Sequence, residues 1–347
     1  MSQSYTLQNS LYVLSEGSWL HLDNDTVRVE VERETKLRVP LHHLQSIAAF
    51  GDSLISPALL ARAMELGISV AYFSRSGRFI ARVEGPLTGN VYLRRDQHHV
   101  AADANRCLLI AQALLAGKIR NSRSVLLRAA RDAHSDLDRN VLVQAAQHLN
   151  ASLRTLRIAA DLASARGVEG DAARVYFRAL PAMLRPDFRA AFPFEARTRR
   201  PPRDAINAVL SFLYAMLTHD CRGALESVGL DPQVGFLHVM RPGRPALALD
   251  LVEEFRAIMA DRIALTLINR GQLRAKDFRH SSGGAVELEN DARKLVLSTW
   301  QERKRDLVMH PILDADVPLG LLPQIQARLL ARYLRGELDS YVPYLHR

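Results

Sequence analysis

Lysine is nearly missing from this chain: of 46 basic residues in 347, five are lysine (Lys36, Lys118, Lys276, Lys294 and Lys304) and the other 41 are arginine. Cysteine is scarcer still. Cys107 and Cys221 stand far apart without CxxC spacing, which excludes a disulfide framework and a thiolate zinc site and leaves two reduced, buried thiols as the expectation. No glycine-rich Walker loop is present, so chemistry driven by ATP is not expected. No apolar run approaches the ~20 residues that span a bilayer. The opening Met1-Ser2-Gln3-Ser4 is polar, without the charged and apolar regions of a secretion signal. A cytoplasmic protein without membrane contact is therefore expected. Internal repeats and low-complexity tracts are also absent. With 48% hydrophobic and 24% charged residues the chain can bury a core, which excludes disorder.

What is there begins with charge: 46 basic against 37 acidic residues give a net charge of +9. Arginine's planar fork grips phosphate with two parallel hydrogen bonds, so an arginine-rich basic chain favours a polyanionic partner such as nucleic acid. A GC-rich coding sequence writes the same bias, so composition alone leaves both readings open.

The chain has two textures. From Leu11 to Val83 short β-rich runs alternate with turns: Leu11-Tyr12-Val13, Trp19-Leu20-His21-Leu22, and Val27-Arg28-Val29-Glu30-Val31 with period-two alternation. One helix is predicted in this stretch, Pro57 to Leu66, with Ser56 as N-cap and Gly67 as its stop. The runs Ile68–Phe73 and Phe79–Val83 around Ser74-Arg75-Ser76-Gly77 read as a hairpin. After the turn-rich connector Gly85–Asn90, apolar spacing becomes helical: Leu108, Leu109, Gln112, Ala113, Leu115 and Ile119 on one face, and Leu142, Ala145, Leu149, Leu153 and Leu156 on another. The expected fold class is α+β: a small β-sandwich-like domain (1–88), a linker (89–101) and a larger all-α domain (102–347).

Four features stand out in the helical half. Glu169 follows Gly167, which reads as the end of one helix, so the carboxylate is expected in the first turn of the next, where the helix dipole favours it. Arg197-Thr198-Arg199-Arg200-Pro201-Pro202-Arg203-Asp204 sets four arginines in seven residues, stiffened by prolines, with Asp204 capping a helix from Ala205 to Leu217. His238 closes Gly235-Phe236-Leu237-His238 and precedes Arg241 and Arg244. In Asp250-Leu251-Val252-Glu253-Glu254-Phe255-Arg256, helical spacing puts Asp250, Glu253 and Glu254 on one face, opposite Leu251, Val252, Phe255, Ile258 and Met259. Asp-x-x-Glu is also a capping-box pattern, and the same oxygens serve only one of the two uses. Carboxylates with one imidazole suit Mg²⁺ or Mn²⁺, and a phosphodiester reaction needs such a cation to neutralise charge on the phosphoryl oxygens.

These residues resemble a known family, the CRISPR-associated integrase that inserts new spacers with its small partner subunit. The resemblance rests on Gly167-Val168-Glu169-Gly170-x-Ala172-Ala173-Arg174-x-Tyr176-Phe177, on Arg199-Arg200-Pro201-Pro202-Arg203-Asp204-x-x-Asn207-Ala208-x-Leu210-Ser211-Phe212-x-Tyr214, and on Gly235–His238 running into Asp250-Leu251-x-Glu253-Glu254-Phe255-Arg256. It spans nearly the whole chain. It implies a homodimer through the N-terminal domain, a small adaptation subunit as partner, and double-stranded or branched DNA as substrate. It implies one divalent metal, Mg²⁺ or Mn²⁺, on Glu169, His238 and Glu253, with Glu254 as the alternative to Glu253. Asp250 would be an orienting carboxylate, and Arg199, Arg200, Arg203, Arg241 and Arg244 would hold DNA phosphates. The implied reaction is attack of a captured fragment's 3′-hydroxyl on a phosphodiester at a repeat end. Rival readings are a hydrolytic repair nuclease acting on branched DNA, a non-catalytic DNA-binding scaffold and, more distantly, a helical regulator of protein partners.

Overall fold

The computed structural model describes residue 7, residues 9–85 and residues 91–346. The polar opening Met1–Ser4 and the connector residues Pro86–Asn90 lie outside them, as does Arg347.

The N-terminal part contains β1 (Asn9–Val13), β2 (Trp19–Asp23), β3 (Thr26–Val31), β4 (Glu34–Pro40), β5 (Leu44–Phe50), β6 (Leu54–Ile55), α1 (Pro57–Glu65), β7 (Ser69–Phe73) and β8 (Phe79–Val83). They form two four-stranded sheets, ordered β1-β5-β7-β8 and β4-β3-β2-β6. In the first, β1, β5 and β7 run parallel and β8 returns antiparallel from β7 as the expected hairpin. Leu20, Val27 and Val29 of the second sheet meet Leu11, Ile47 and Val70 of the first and Leu59 of α1 in one core. Arg28 and Glu30 lie on the opposite face and pair at 2.8 Å, as period two requires. Helix α1 starts where Ser56 accepts the N–H of Leu59 and Pro57 opens the first turn. Its chain leaves through Gly67 at φ +70°.

The second part is helical: α2 (Val91–Ala102), α3 (Ala104–Arg131), α4 (Asp136–Arg157), α5 (Leu162–Arg178), α6 (Pro186–Arg189), α7 (Ala205–Ser227), α8 (Ala246–Val252) and α9 (Arg262–Asn269). A hairpin of β9 (Phe278–His280) and β10 (Val286–Leu288) follows, then α10 (Asn290–Lys304), a second hairpin of β11 (Leu307–His310) and β12 (Ala315–Pro318), and α11 (Leu322–Leu334). Strands of three or four residues are too short to show a period, so neither hairpin was legible in the sequence. Of the connector expected at 89–101, the part from Val91 onward is helix α2. Among the described residues no single helix is long and apolar enough to cross a membrane; α2 and α3 pass that test only together, and they bend by 97° at their junction.

Asp204 caps α7, accepting the N–H of Asn207 at 2.7 Å, and the helix runs ten residues beyond its expected end at Leu217, to Ser227. On α4 the expected face is right: Leu142, Ala145, Leu149 and Leu156 are buried. On α3 it is rotated, with Ile110, Ala111, Leu114, Leu115 and Ile119 buried and Leu109 exposed, because α4, α5 and the segment after α8 together cover a wider stripe than one neighbour would.

The two parts share packing. Ala48, Phe50, Ala71 and Phe73 face away from the β core onto the helical one, so the first sheet is covered on both sides and β5 and β7 need no polar alternation. Gly77, in the β7–β8 turn at φ +83°, lies against Phe212 of α7, where an added Cβ would come within 2.4 Å of the ring. Gly77→Ala should therefore destabilise the protein by roughly 2–4 kcal/mol, the left-handed backbone and the overpacking each contributing. Thermal unfolding checks this; a melting temperature equal to wild type would show that this docking contact is slack.

Candidate metal centre and active site

Three segments meet beside α3. Helix α3 supplies Lys118, α5 supplies Glu169, the loop before α8 supplies His238, and α8 with the bend and stretch after it supplies Asp250, Glu253 and Arg256.

Glu169 is not at a helix start. Asp161 caps α5, accepting the N–H of Ser164 at 2.7 Å, and the helix continues through Gly167 and Gly170 to Arg178. Each interior glycine costs about 1 kcal/mol against alanine. Burial of Ala165, Ala172 and Tyr176 offsets that, so tertiary packing overrides the stop signal.

Asp250, Glu253 and Glu254 do not share a face either. Helix α8 ends at Val252, and a π-helical stretch, Arg256–Asp261, follows the bend that carries Glu253 and Glu254. The capping box does not form, since α8 begins after Pro245 and Asp250 lies in its last turn. Asp250 is fully buried and holds the neighbouring loop instead. Its Oδ2 accepts the N–H of Phe236 (2.6 Å) and Leu237 (3.0 Å), and its Oδ1 accepts the N–H of His238 (2.9 Å) and lies 2.7 Å from His238 Nδ1. A carboxylate that takes four hydrogen bonds leaves the proton on Nδ1 and the lone pair on Nε2. That Nε2 faces Glu253 Oε1 at 3.9 Å.

Glu253 is buried, and its Oε1 pairs with Arg256 at 3.0 Å. The Lys118 ammonium stands between two carboxylates, bonded to Glu169 Oε1 and 2.7 Å from Glu253 Oε2. Burial alone would push the Glu253 carboxyl up, but Arg256, Lys118 and His238 outweigh it and hold it at about 2. Glu254 turns the other way, into a buried network with Gln326, Tyr341 and the backbone of Tyr344, where burial pushes it up to about 8. It therefore does not face Glu169 or His238.

Among the described residues no three His, Cys, Asp or Glu side chains close around a single point, for the ammonium fills the space between the carboxylates. The donors nevertheless fit a hard divalent cation. Two carboxylates already hold a positive charge, the Lys118 ammonium lying 2.7 Å from the buried Glu253 Oε2, and His238 offers Nε2 at 3.9 Å from Glu253 Oε1.

A supporting layer lies beneath. Tyr214 and Tyr176 donate to Asp261 at 2.7 and 2.9 Å, and burial pushes Asp261 up to about 6 against those bonds. Arg256 and Arg197 both stack on Tyr214, at 4.9 and 5.2 Å from its ring centre. A cavity of about 30 Å³ opens beside the carboxylates, lined by Lys118, Tyr176, Phe177, Arg199, Arg256 and Asp261. Arg199 thus lies next to the site. Arg200 and Arg203 are exposed on the turn before α7, with Arg203 against Gly284 of the β9–β10 turn. Arg241 is exposed and Arg244 half-buried on the loop after His238. Lys118 escaped the sequence reading, although its rarity was a signal: one of five lysines in a chain that otherwise writes arginine. Arg166 escaped too; from α5 it donates to the carbonyl of Leu237 and anchors the His238 loop.

The pattern of the family described as CRISPR associated protein Cas1 matches residues 11–302. A CRISPR-associated endonuclease Cas1 of Moorella thermoacetica is 50% identical over 99% of this chain and 100% of its own length. One of Rhodospirillum rubrum is 49% identical over 97% of this chain and 98% of its own. Among solved structures, a CAS1 protein from Thermotoga maritima superposes with a TM-score of 0.81 at 22% identity, covering 96% of this chain and 99% of that one. A casposase bound to its integration product gives 0.82 at 22% identity, over 96% and 93%. A Cas6-RT-Cas1–Cas2 complex gives 0.83 at 23% identity, over 99% of this chain and 37% of that one. At such identities the superpositions speak for the fold.

Proposed function

The chain belongs to the CRISPR-associated Cas1 family, a family of CRISPR-associated endonucleases, and from that premise we propose that it is a metal-dependent DNA integrase that inserts captured DNA fragments into a CRISPR array. The observation that carries the reading is that Glu169 Oε1 and the buried Glu253 Oε2 hold one positive charge between them, that of Lys118, while His238 Nε2 lies 3.9 Å from the other Glu253 oxygen.

Glu169, Glu253 and His238 would hold Mg²⁺ or Mn²⁺. Such an ion neutralises charge on the phosphoryl oxygens and lowers the pKa of the attacking hydroxyl. Asp250 fixes the His238 tautomer, so that Nε2 presents its lone pair. Arg256 anchors Glu253 at Oε1, and Lys118 holds its Oε2. Arg199, at the rim of the adjacent cavity, meets the phosphate backbone, and Arg200, Arg203, Arg241 and Arg244 extend the grip. In the reaction the fragment's 3′-oxygen bonds to phosphorus, the bond from phosphorus to the repeat's 3′-oxygen breaks, and the hydroxyl proton ends on that leaving oxygen. One phosphodiester replaces another, so no ATP is consumed, in keeping with the missing Walker loop.

Homodimerisation through the N-terminal part is supported by Trp19, Leu37 and Leu54, exposed on the second sheet with Trp19 opposite Leu54. A small adaptation subunit as partner is supported by the fold shared with the Cas1–Cas2 complex, and DNA as substrate by the fold shared with a casposase bound to its integration product. Product analysis separates integration from hydrolysis. A fragment ending in a 3′-hydroxyl should become covalently joined to a labelled repeat, and one ending in a 3′-phosphate should not; release of nicked repeat with neither fragment joined would favour the repair nuclease.

Lys118 gives an independent handle. Lys118→Met removes the charge that competes for the carboxylates, so Mn²⁺ affinity should rise about tenfold, while the metal-free protein loses an ion-pair network and melts lower in EDTA. Calorimetric titration with unchanged affinity would show that the ammonium and the ion do not share a place.

A further inference from the structure

We propose that the C-terminal tail, Tyr341–His346, is a strap that positions the bend carrying Glu253, with Glu254 and Asn121 as its two anchor points. The inference rests on the metal reading above and goes beyond it, because none of these residues faces the site.

Glu254 and Asn121 occupy telling positions. Glu254 follows Glu253 in the bend, and Asn121 lies one turn after Lys118 on α3. Four of the tail's polar contacts fall on these two, and others reach Gln326, Met309 and Arg262. Tyr341 Oη donates to Glu254 Oε1, and the N–H of Tyr344 donates to Oε2 at 2.8 Å. Gln326 of α11 donates to Oε2 at 3.1 Å as well, and to Tyr341 Oη at 3.0 Å. The Asn121 amide donates to the carbonyl of Glu254 (2.8 Å) and to that of Tyr344 (2.9 Å), and its oxygen accepts the N–H of His346 (2.8 Å). Asn121, Glu254, Gln326, Tyr341 and Tyr344 are all buried.

The bend needs such a brace. Between α8 and the π-helical stretch the regular helical ladder is interrupted, so the ladder alone does not set which way Glu253 points. Tying Glu254 and its carbonyl to α3 and to the tail fixes that direction, since adjacent side chains in a bend rotate together. Close approach is built in at Gly117, directly before Lys118: an added Cβ there would lie 2.8 Å from Pro343 Cβ and 3.3 Å from Glu254 Cγ. The tail, α3 and the bend thus form one locked unit behind the carboxylates.

The test is Mn²⁺ affinity by calorimetry on the full chain, well below each variant's melting temperature, with strand-transfer kinetics alongside. Asn121→Ala should weaken Mn²⁺ about tenfold, the usual cost of losing a group that orients a metal ligand. Gly117→Ala should do the same, although alanine is the better helix former, and Tyr341→Phe should act in the same direction by a few-fold. Leu142→Ala, a buried change on α4 remote from the tail, serves as the control. It should lower the melting temperature and leave Mn²⁺ affinity within twofold of wild type. Wild-type affinity in all three tail variants overturns the strap, and so does an equal loss in Leu142→Ala. A wild type that binds no Mn²⁺ overturns the metal reading and the proposal with it.

Discussion

Glu169→Ala and His238→Ala should each lose strand transfer on a branched DNA by about 10²–10³-fold or more, the range measured when one preorganised group at a reacting centre is removed. DNA binding should persist in both, because phosphate contacts from exposed arginines supply most of the affinity and neither residue is one of them. Stability should change little. Glu169 is partly exposed, and its loss leaves Lys118 still paired with Glu253 at 2.7 Å. Loss of the His238 ring leaves Asp250 bonded to all three loop amides. Gel-based transfer assays beside fluorescence-anisotropy binding and thermal melting separate these effects. Full transfer in Glu169→Ala would return the carboxylate to the role of an ordinary helix residue. Loss of binding together with transfer would favour the scaffold reading.

Asp250→Ala should behave differently, failing mainly through the fold. Three buried N–H groups and an imidazole lose their acceptor at once, and each orphaned buried donor costs about 1–3 kcal/mol. The sum, several kcal/mol, is a large part of the 5–15 kcal/mol that stabilises an ordinary domain. A fall of roughly 10 °C or more in melting temperature is expected at the few degrees per kcal/mol usual for large domains. Asp250→Asn should not restore it, since one side of the amide would turn an N–H₂ toward N–H donors. If Asp250 were instead a metal ligand, Asp250→Ala would abolish transfer with the melting temperature unchanged. Thermal melting of the two variants decides between these roles.

The contrast between Glu169 and Asp250 shows how far the sequence reached. Carboxylates beside one imidazole in an arginine-rich chain pointed to phosphodiester chemistry, and period two in Val27, Val29 and Val31 identified a half-wet strand. The caps at Ser56 and Asp204 were legible because each pairs a side chain with the amide three residues on, a contact the sequence itself contains. Gly167 misled for the opposite reason: a glycine is a local stop signal, and burial of Ala165, Ala172 and Tyr176, set by other helices, overrode it. The same limit explains the acidic motif. Helical spacing put Asp250, Glu253 and Glu254 on one face, whereas the chain bends after Val252 and sends them to three places: the His238 loop, the Lys118 ammonium and the C-terminal tail. Lys118 lies 51 residues from Glu169, and Tyr341 87 residues from Glu254. Contacts of that span leave no local pattern. For Lys118 the trace in the sequence was rarity, one of five lysines in a chain that otherwise writes arginine, rather than spacing.

The measurement that bears most directly on the central claim is the anomalous scattering of Mn²⁺ in crystals of this protein. One strong peak is expected within coordinating reach of Glu169, Glu253 and His238 Nε2, about 2.0–2.3 Å from each, with the Lys118 ammonium moved out of the space it now fills. A peak elsewhere, with Lys118 still bridging Glu169 and Glu253, would contradict it.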